Sequence, residues 1–200
     1  MRCMYCDGLK DKIRFTDLFL EDDVLCWQCR ERLKLNRKYV DIGPIKVETL
    51  YDYDCIFKEL LIQYKECFDE ALAPAFLYLL NEYLTIKYRG YQIIFIPSSK
   101  QKLSQRGFNH LDLIFKDVKL KRNYGLKMKD ELIQEDKNYN ERRLMVSNYY
   151  YDGPILDRVL IVDDVLTTGS SMLGAYLSIK PYSRKIKALA LSRKRFHLQK

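Results

Sequence analysis

The chain has 200 residues, of which 48% are hydrophobic, and its formal net charge is +8. This length suits one medium-sized domain, or a domain of about 150 residues with a small appendage, and the apolar content is enough for a core. The basic balance favours a polyanionic ligand, although lysine-rich usage can also reflect genome composition. No apolar run is long enough for a membrane span and the N-terminus lacks a signal-peptide core, so we expect a cytoplasmic protein without membrane insertion.

Four cysteines near the N-terminus form two CxxC pairs, Cys3 with Cys6 and Cys26 with Cys29, and 19 residues separate the pairs. Two such knuckles can close around one tetrahedral zinc ion. A site with four sulfur ligands has no open position for a substrate, so the predicted zinc is structural. Redox pairs or disulfides are the alternative, which a reducing cytoplasm disfavours.

A turn signal follows the cysteine-rich segment, because Gly and Pro in Asp41-Ile42-Gly43-Pro44 interrupt regular structure. We predict that 41–44 is a linker between a zinc-binding head over residues 1–45 and a second domain over residues 46–200. Cys55 and Cys67 lack metal-ligand spacing, and we expect them to pack in the core.

The next segments carry two helical patterns. Residues 46–53 are expected to be extended. Apolar residues recur at helical spacing over 57–65 and 70–87, and Pro74 would lie in the first turn of the second helix.

Two unbroken apolar runs, Ile93–Ile96 and Val159–Val162, predict buried strands, and the aliphatic, mostly β-branched second run predicts burial on both faces of a parallel sheet. Open α/β sheets bind ligands at the carboxyl ends of their strands. Ser98, Ser99 and Lys100 follow the first run and would supply small side chains, backbone N–H groups and one cation there. The alternative is an ordinary strand-to-helix turn.

Asp163 and Asp164 follow the second run directly, and a loop rich in hydroxyls comes next. Paired carboxylates can accept hydrogen bonds from vicinal sugar hydroxyls. Backbone N–H groups in residues 167–171, where Gly169 permits a tight turn, can point at a phosphate, assisted by the start of a following helix. Alternatively, the acids end a strand and the glycine makes a turn. The hydroxyl loop, as we call this segment, contains Thr167, Thr168, Gly169, Ser170 and Ser171.

The run Ile161–Ser171, IVDDVLTTGSS, resembles the phosphoribosyl pyrophosphate (PRPP) motif of the type I phosphoribosyltransferases. The resemblance implies an α/β fold with a parallel sheet flanked by helices, and PRPP bound together with Mg²⁺. It implies that Asp163 and Asp164 contact the ribose 2′ and 3′ hydroxyls and that the hydroxyl loop holds the 5′-phosphate. It also places pyrophosphate at Ser98, Ser99 and Lys100.

The segment Arg106-Gly107-Phe108-Asn109, together with the double CxxC and the PRPP motif, resembles the ComF family of competence-associated proteins over essentially the whole chain. This resemblance implies a link to incoming single-stranded DNA during natural transformation, and a DNA-processing helicase as a partner. Arg106 offers a planar fork for phosphate, with a helix-surface arginine as the alternative.

The chain departs from the family pattern at several positions. Relatives usually carry Lys-Tyr before a glycine, whereas Lys65 here follows Tyr64. Thr167 stands where purine-specific relatives place an acid, so an amine or another nucleophile becomes the favoured acceptor. Residues 119–145 are polar and are expected to form a mobile loop over the site. Its candidate cations are Lys127, Lys129, Lys137, Arg142 and Arg143.

Three functions stay open at this point. In a phosphoribosyltransferase, Asp163, Asp164 and Lys100 would be the catalytic residues. A PRPP- or nucleotide-binding protein without turnover would keep the same site. A DNA-processing accessory would bind single strands with its basic face and zinc head. For stacking on bases the candidates are residues 149–151 and 193–196, which a strand edge and a solvated tail also explain.

Overall fold

The structure is a computed structural model, and it describes residues 2–10, 23–99, 103–104, 107–129 and 148–194. The strands in these ranges are β1 (Leu35–Ile42), β2 (Ile45–Asp52), β3 (Gln92–Phe95), β4 (Lys121–Arg122), β5 (Leu126–Met128), β6 (Tyr149–Tyr151), β7 (Leu156–Leu166) and β8 (Ser183–Arg193). The α-helices are α1 (Trp27–Arg32), α2 (Cys55–Glu66), α3 (Ala73–Leu77), α4 (Asn81–Lys87), α5 (His110–Ile114) and α6 (Ser170–Ile179).

One six-stranded sheet organises the fold, with strand order β1-β2-β8-β7-β3-β4. Neighbouring strands from β2 to β4 pair in parallel, and β1 pairs antiparallel with β2 at the edge. A separate antiparallel pair, β5 with β6, packs near α6. The predicted α/β class with a mainly parallel sheet is therefore confirmed.

Strand β7 lies inside the sheet and carries apolar side chains on both of its faces. Val159 and Ile161 pack in one core cluster with residues of α6, and Leu160 and Val162 pack in the other with residues of α2 and α5. We call these the α6 face and the α2/α5 face. The predicted buried strand Val159–Val162 is confirmed, and β7 continues beyond it through both acidic residues to Leu166.

The predicted linker at 41–44 is wrong. Asp41 and Ile42 end β1, and Gly43 and Pro44 form the turn of a hairpin in which Ile42 pairs with Ile45. Gly43 has φ 55°, a backbone conformation that glycine adopts without a steric penalty. The sheet therefore begins at Leu35, inside the range predicted for the head.

The helical pattern of 57–65 is confirmed by α2, whose first turn is capped by the side chain of Asp54. The single helix predicted over 70–87 is wrong, because a 3-10 turn at Glu70–Leu72, α3 and α4 take its place. Pro74 lies in the first turn of α3, as expected. The break comes at Leu79, which has φ 64° and an exposed side chain, while its neighbours at 77 and 80 are buried.

Cys55 and Cys67 are both exposed, so their predicted core role is wrong. Each lies at an end of α2, where the apolar face of the helix no longer covers the side chain. Part of the predicted loop at 119–145 also has regular structure, because β4 and β5 lie within it. Of the helices in the described ranges, none has the length and apolar character that crossing a bilayer requires.

Candidate functional site

Asp163 and Asp164 lie near the carboxyl end of β7, and the alternation of side chains along a strand sends them to opposite faces of the sheet. Asp164 contacts α2 and α5, while Asp163 lies toward β6 and the start of α6. The two predicted carboxylates are thus adjacent in the chain but have different surroundings.

Asp164 is held by two cationic or polar side chains from the α2/α5 face. The ammonium of Lys65 donates a short hydrogen bond to its carboxylate, and Nε2 of His110 lies 2.7 Å from the same Oδ2 atom. His110 is itself fixed, since the Tyr64 hydroxyl donates to its backbone carbonyl at 2.7 Å. The side chains of Lys65, His110 and Asp164 are all largely buried, which makes this a preorganised ionic cluster.

Asp163 has a different electrostatic environment. Its Oδ1 accepts the backbone N–H of Asp164 at 2.9 Å. Burial raises the pKa of Asp163 from 3.8 to about 6, and the nearby charge of Lys65 opposes this shift only in part. Burial and the Asp163 charge raise the pKa of Tyr149, against a hydrogen bond with Ser171. An acid with a raised pKa at the end of a strand is a recognised mark of a functional site.

The hydroxyl loop follows β7 directly, and its last two residues, Ser170 and Ser171, are the first two of α6. Gly169 has φ 82°, and a Cβ atom at this position would lie 2.7 Å from Cγ2 of Ile42. The loop therefore rests on the end of β1, the strand that contains part of the mispredicted linker. Thr168 Oγ1 lies 2.8 Å from Ser170 Oγ and accepts the Ser170 backbone N–H at 3.3 Å.

The start of α6 is suited to an anion. No side-chain hydrogen bond caps this helix from its N-cap residue Gly169. The four hydroxyl-bearing side chains of the loop are exposed. Backbone N–H groups at a helix start, helix polarity and hydroxyl donors together form the arrangement that binds phosphate. The predicted loop residues are therefore brought together beside Asp163.

The end of β3 lies next to the end of β7, as predicted. Beyond the paired strand ends, the backbone N–H of Ile96 donates to the carbonyl of Val162 at 2.9 Å. Ser98 and Ser99 follow at this edge and are partly buried, and the Ser99 carbonyl accepts the N–H of Leu103 at 3.0 Å. The other two residues predicted here, Lys100 and Arg106, lie outside the described residues.

Sequence reasoning missed the role of three side chains at this site. In the sequence, Lys65 is only a displaced cation, no motif singles out His110, and the run 149–151 suggests a strand edge or base stacking for Tyr149. The structure places Tyr149 in β6 with its side chain buried. Of the cations predicted for the 119–145 loop, Lys127 forms an ion pair with Asp152 at 2.8 Å. Lys129 is described, whereas Lys137, Arg142 and Arg143 lie outside the described residues.

The four N-terminal cysteines converge as predicted. The sulfur atoms of Cys3, Cys6, Cys26 and Cys29 all lie within 4.8 Å of one another, and the Cys6 and Cys26 sulfurs are 3.7 Å apart. Zinc–sulfur bonds of about 2.3 Å in a tetrahedron place neighbouring sulfurs about 3.8 Å apart, so the donor set fits zinc. None of the four forms a disulfide in the structure.

The thiols of the cluster have different electrostatic environments. Burial raises the pKa of Cys26 and of Cys29, whereas the pKa of Cys3 is lowered. Burial opposes ionisation of Cys3, but hydrogen bonds with the backbone of Cys26, Cys6 and Tyr5 lower the pKa of its thiol to about 7. The resulting cluster is compatible with a structural metal.

Polar contacts fasten the cysteine cluster to the helices of the fold. Arg30 donates to both carboxylate oxygens of Asp23 at 2.6 Å and to the Ala75 carbonyl at 2.7 Å. The side-chain amide of Gln63 donates to the Met4 carbonyl at 3.1 Å. The cysteine segment is therefore packed against α2 and α3.

Comparisons with known proteins bear on the family. Competence protein ComFC of Streptococcus pneumoniae (strain ATCC BAA-255 / R6) is 25% identical over 200 aligned positions, which span 86% of this chain and 90% of the relative. This similarity confirms the resemblance to the ComF family. No protein-family model matches the chain.

Two solved structures are also similar. Adenine phosphoribosyltransferase from Leishmania tarentolae is 14% identical with a TM-score of 0.36, and the match covers 78% of this chain and 94% of that one. The enzyme from Leishmania donovani is 16% identical with a TM-score of 0.35, covering 78% and 86% of the two chains.

Proposed function

We propose that this protein binds PRPP at the carboxyl end of β7 and acts as a phosphoribosyltransferase of the ComF type. One observation carries the proposal. Asp163 and Asp164 lie near the end of a strand buried on both faces, and the chain then turns through Gly169 into the hydroxyl-rich start of α6. The carboxylate of Asp163 can therefore accept a ribose hydroxyl close to loop N–H groups that can bind a phosphate, while Asp164 lies on the other face of the sheet.

Each residue has a distinct part in this proposal. Asp163 has one carboxylate oxygen on a backbone N–H, and its other oxygen can accept a ribose hydroxyl. Asp164 is oriented by Lys65 and His110, which fix the position of its carboxylate. The hydroxyl loop would hold the 5′-phosphate, with Ser98 and Ser99 at the pyrophosphate.

Loss of pyrophosphate from the anomeric carbon makes the leaving group more negative and the ribose more positive. The carboxylate charge near the ribose and the loop N–H donors would stabilise these changes. Mg²⁺ prefers oxygen ligands such as carboxylates, so Asp163 could help to hold this ion. The bound Mg²⁺ would neutralise negative charge on the leaving pyrophosphate. Thr167 has no basic side chain and cannot take a proton from the acceptor. The acceptor must therefore react without its help, either already deprotonated or with another group as the base.

The proposal also includes structural zinc at Cys3, Cys6, Cys26 and Cys29, whose convergent sulfurs support it; all but Cys6 are buried. A site filled by four sulfurs would have no position for substrate. Its role would be to hold the N-terminal segment against α2 and α3.

A second function rests on the similarity to a protein that is named for competence. We propose that the chain handles incoming single-stranded DNA, with a DNA-processing helicase as its partner. The net charge of +8 supports contact with a polyanion. Binding to a single-stranded oligonucleotide should then weaken steeply with salt, and a flat dependence on salt would count against this role.

The test of the PRPP site is calorimetric titration in the presence of Mg²⁺. The wild type should bind PRPP, and the double variant Asp163→Asn with Asp164→Asn should bind at least tenfold more weakly. Asp157→Asn is the matched control, because Asp157 lies on the same strand but at its other end and is well exposed. Equal affinity in the double variant and the control would refute the site.

Turnover has its own test. Pyrophosphate release from PRPP should be measured with a panel of amines, bases and single-stranded oligonucleotides as acceptors. Release with at least one acceptor, lost in the double variant, would support catalysis. PRPP binding without release across the panel would favour the binding protein without turnover.

A further inference from the structure

A second concave site lies at the opposite end of the sheet, with a volume of about 500 Å³. Lys46 at the start of β2, Arg184 and Lys187 near the start of β8, and Tyr176 of α6 contribute to its walls. Ala190 of β8 pairs with Asp163, and it lies six residues beyond Arg184. At about 3.3 Å per residue, Arg184 therefore lies about 20 Å from Asp163 along the sheet. The part of the wall formed by Pro44 and Ile45 is closer to the first site, because the hydroxyl loop rests on Ile42, which pairs with Ile45.

The walls of this pocket concentrate positive charge without matching acids. Lys46, Lys180, Arg184 and Lys187 all line it. Within the described part of the chain, none of the last three forms an ion pair, and Lys46 has only an exposed contact with Asp41 at 3.7 Å. Four like charges around one concave surface repel one another and attract an anion.

The acidic side chain in the pocket wall, Glu48, is already neutralised. It is 1% exposed, and Lys87 Nζ lies 2.5 Å from each of its carboxylate oxygens. The Tyr88 hydroxyl donates to the same carboxylate, and Lys87 also donates to the hydroxyls of Tyr83 at 2.9 Å and Tyr39 at 3.2 Å. The charge of Glu48 is therefore compensated by Lys87. It does not compensate the positive charge of the other cations that line the pocket.

Aromatic rings, rather than carboxylates, hold two of the remaining cations. The ammonium of Lys187 lies over the rings of Tyr88 and Tyr91, at 5.3 and 5.2 Å from their centroids. Lys180 lies over Tyr176 at 5.8 Å. A cation held by a ring is positioned but keeps its charge and its N–H donors for a ligand.

The rest of the wall is apolar. Pro44, Ile45, Ile186 and Ala188 line it, and the ring of Tyr39 is well exposed at its edge. Inorganic phosphate would satisfy the cations but leave this surface uncovered. A ligand with phosphate at one end and a planar ring at the other would match both, and the volume lies in the range of small-molecule sites.

We propose that this pocket binds a mononucleotide, with its phosphate on Lys180, Arg184 and Lys187 and its base against the apolar wall beside Tyr39. The site is additional to the proposed PRPP site and does not depend on it. A volume of about 500 Å³ accommodates one nucleotide but not a strand.

The probe is AMP carrying a methylanthraniloyl fluorophore on its ribose, measured by fluorescence anisotropy with saturating PRPP present so that the other site is filled. Lys180→Glu with Arg184→Glu should weaken binding at least tenfold, because two charge-assisted contacts to phosphate are replaced by repulsion. Both positions are exposed, so folding should be unaffected. The matched control is Lys58→Glu with Lys185→Glu, which changes the net charge equally at exposed positions outside the pocket.

The proposal predicts that AMP competes for the probe and that inorganic phosphate at the same concentration does not. Equal weakening in the pocket and control variants, or no binding by the wild type, would overturn it. Competition by phosphate alone would show that the pocket binds only an anion. Tighter binding of a long single strand than of AMP would show that its ligand is a nucleic acid rather than a mononucleotide. PRPP titration of the same variants is the separate control: it should be unchanged, and its failure in the wild type would refute the PRPP site alone.

Discussion

Replacing Asp163 with Asn should stabilise the protein at neutral pH while removing its affinity for PRPP. The substitution keeps the shape of the side chain and its Oδ1 acceptor for the Asp164 N–H, a bond of 2.9 Å. It removes only the negative charge, whose burial raises the pKa of Asp163 from 3.8 to about 6. Binding sites typically contain residues that lower the stability of the folded protein but contact the ligand.

The size of the effect follows from the pKa shift. Because the folded state holds this proton more tightly than the unfolded chain, ionisation of Asp163 opposes folding, and stability falls as pH rises from about 4 to about 6. A shift of about two units corresponds to about 3 kcal/mol at pH 7. Asp163→Asn should recover up to this amount at pH 7.5, equivalent to about 6–12 °C in Tm for a chain of this size, and almost nothing at pH 4.

Urea unfolding of the wild type and the variant at pH 4.0 and pH 7.5 measures this directly. The exposed Asp157→Asn is again the control, and we expect it to change the free energy of unfolding by less than about 0.5 kcal/mol at either pH. Equal stabilities at both pH values, or a variant that is less stable at pH 7.5, would show that the Asp163 carboxylate is not held at an energetic cost.

Three further outcomes follow from the same geometry. Cys26→Ser should release the bound metal and expose the N-terminal segment to proteolysis, whereas a wild type that is folded without metal would contradict structural zinc. Lys65→Met should lower the free energy of unfolding by about 3 kcal/mol, since it leaves the Asp164 carboxylate buried with one partner fewer; a loss below 0.5 kcal/mol in urea unfolding would disagree. Gly169→Ala should lower both Tm and PRPP affinity, because its Cβ would overlap Ile42 at a positive φ, and adding Ile42→Ala should recover part of the Tm.

Patterns of neighbouring residues in the sequence predicted the features that are determined by short segments of chain. The run Val159–Val162 is aliphatic throughout and mostly β-branched, and such a run forms a strand buried on both faces. The spacing of the cysteines predicted their convergence, because each CxxC turn aims two sulfurs at one point. A Gly-Pro pair, in contrast, predicts a turn without saying what the turn joins, which is why 41–44 was read as a linker.

The missed parts of the site depend on contacts between distant residues. Lys65 and Asp164 are 99 positions apart, and His110 and Asp164 are 54 apart, so no local pattern links them. The opposite orientations of Asp163 and Asp164 could have been predicted by extending the strand alternation past Val162. Instead the strand was expected to end at Val162, where the apolar run ends.

The most direct test of the central claim is a crystal structure of the protein grown with PRPP and Mg²⁺. The account predicts electron density for the 5′-phosphate at the N–H groups of the hydroxyl loop and for the ribose hydroxyls at Asp163, with pyrophosphate toward Ser98 and Ser99. Density for PRPP elsewhere on the molecule, or a hydroxyl loop without phosphate at saturating PRPP, would contradict it.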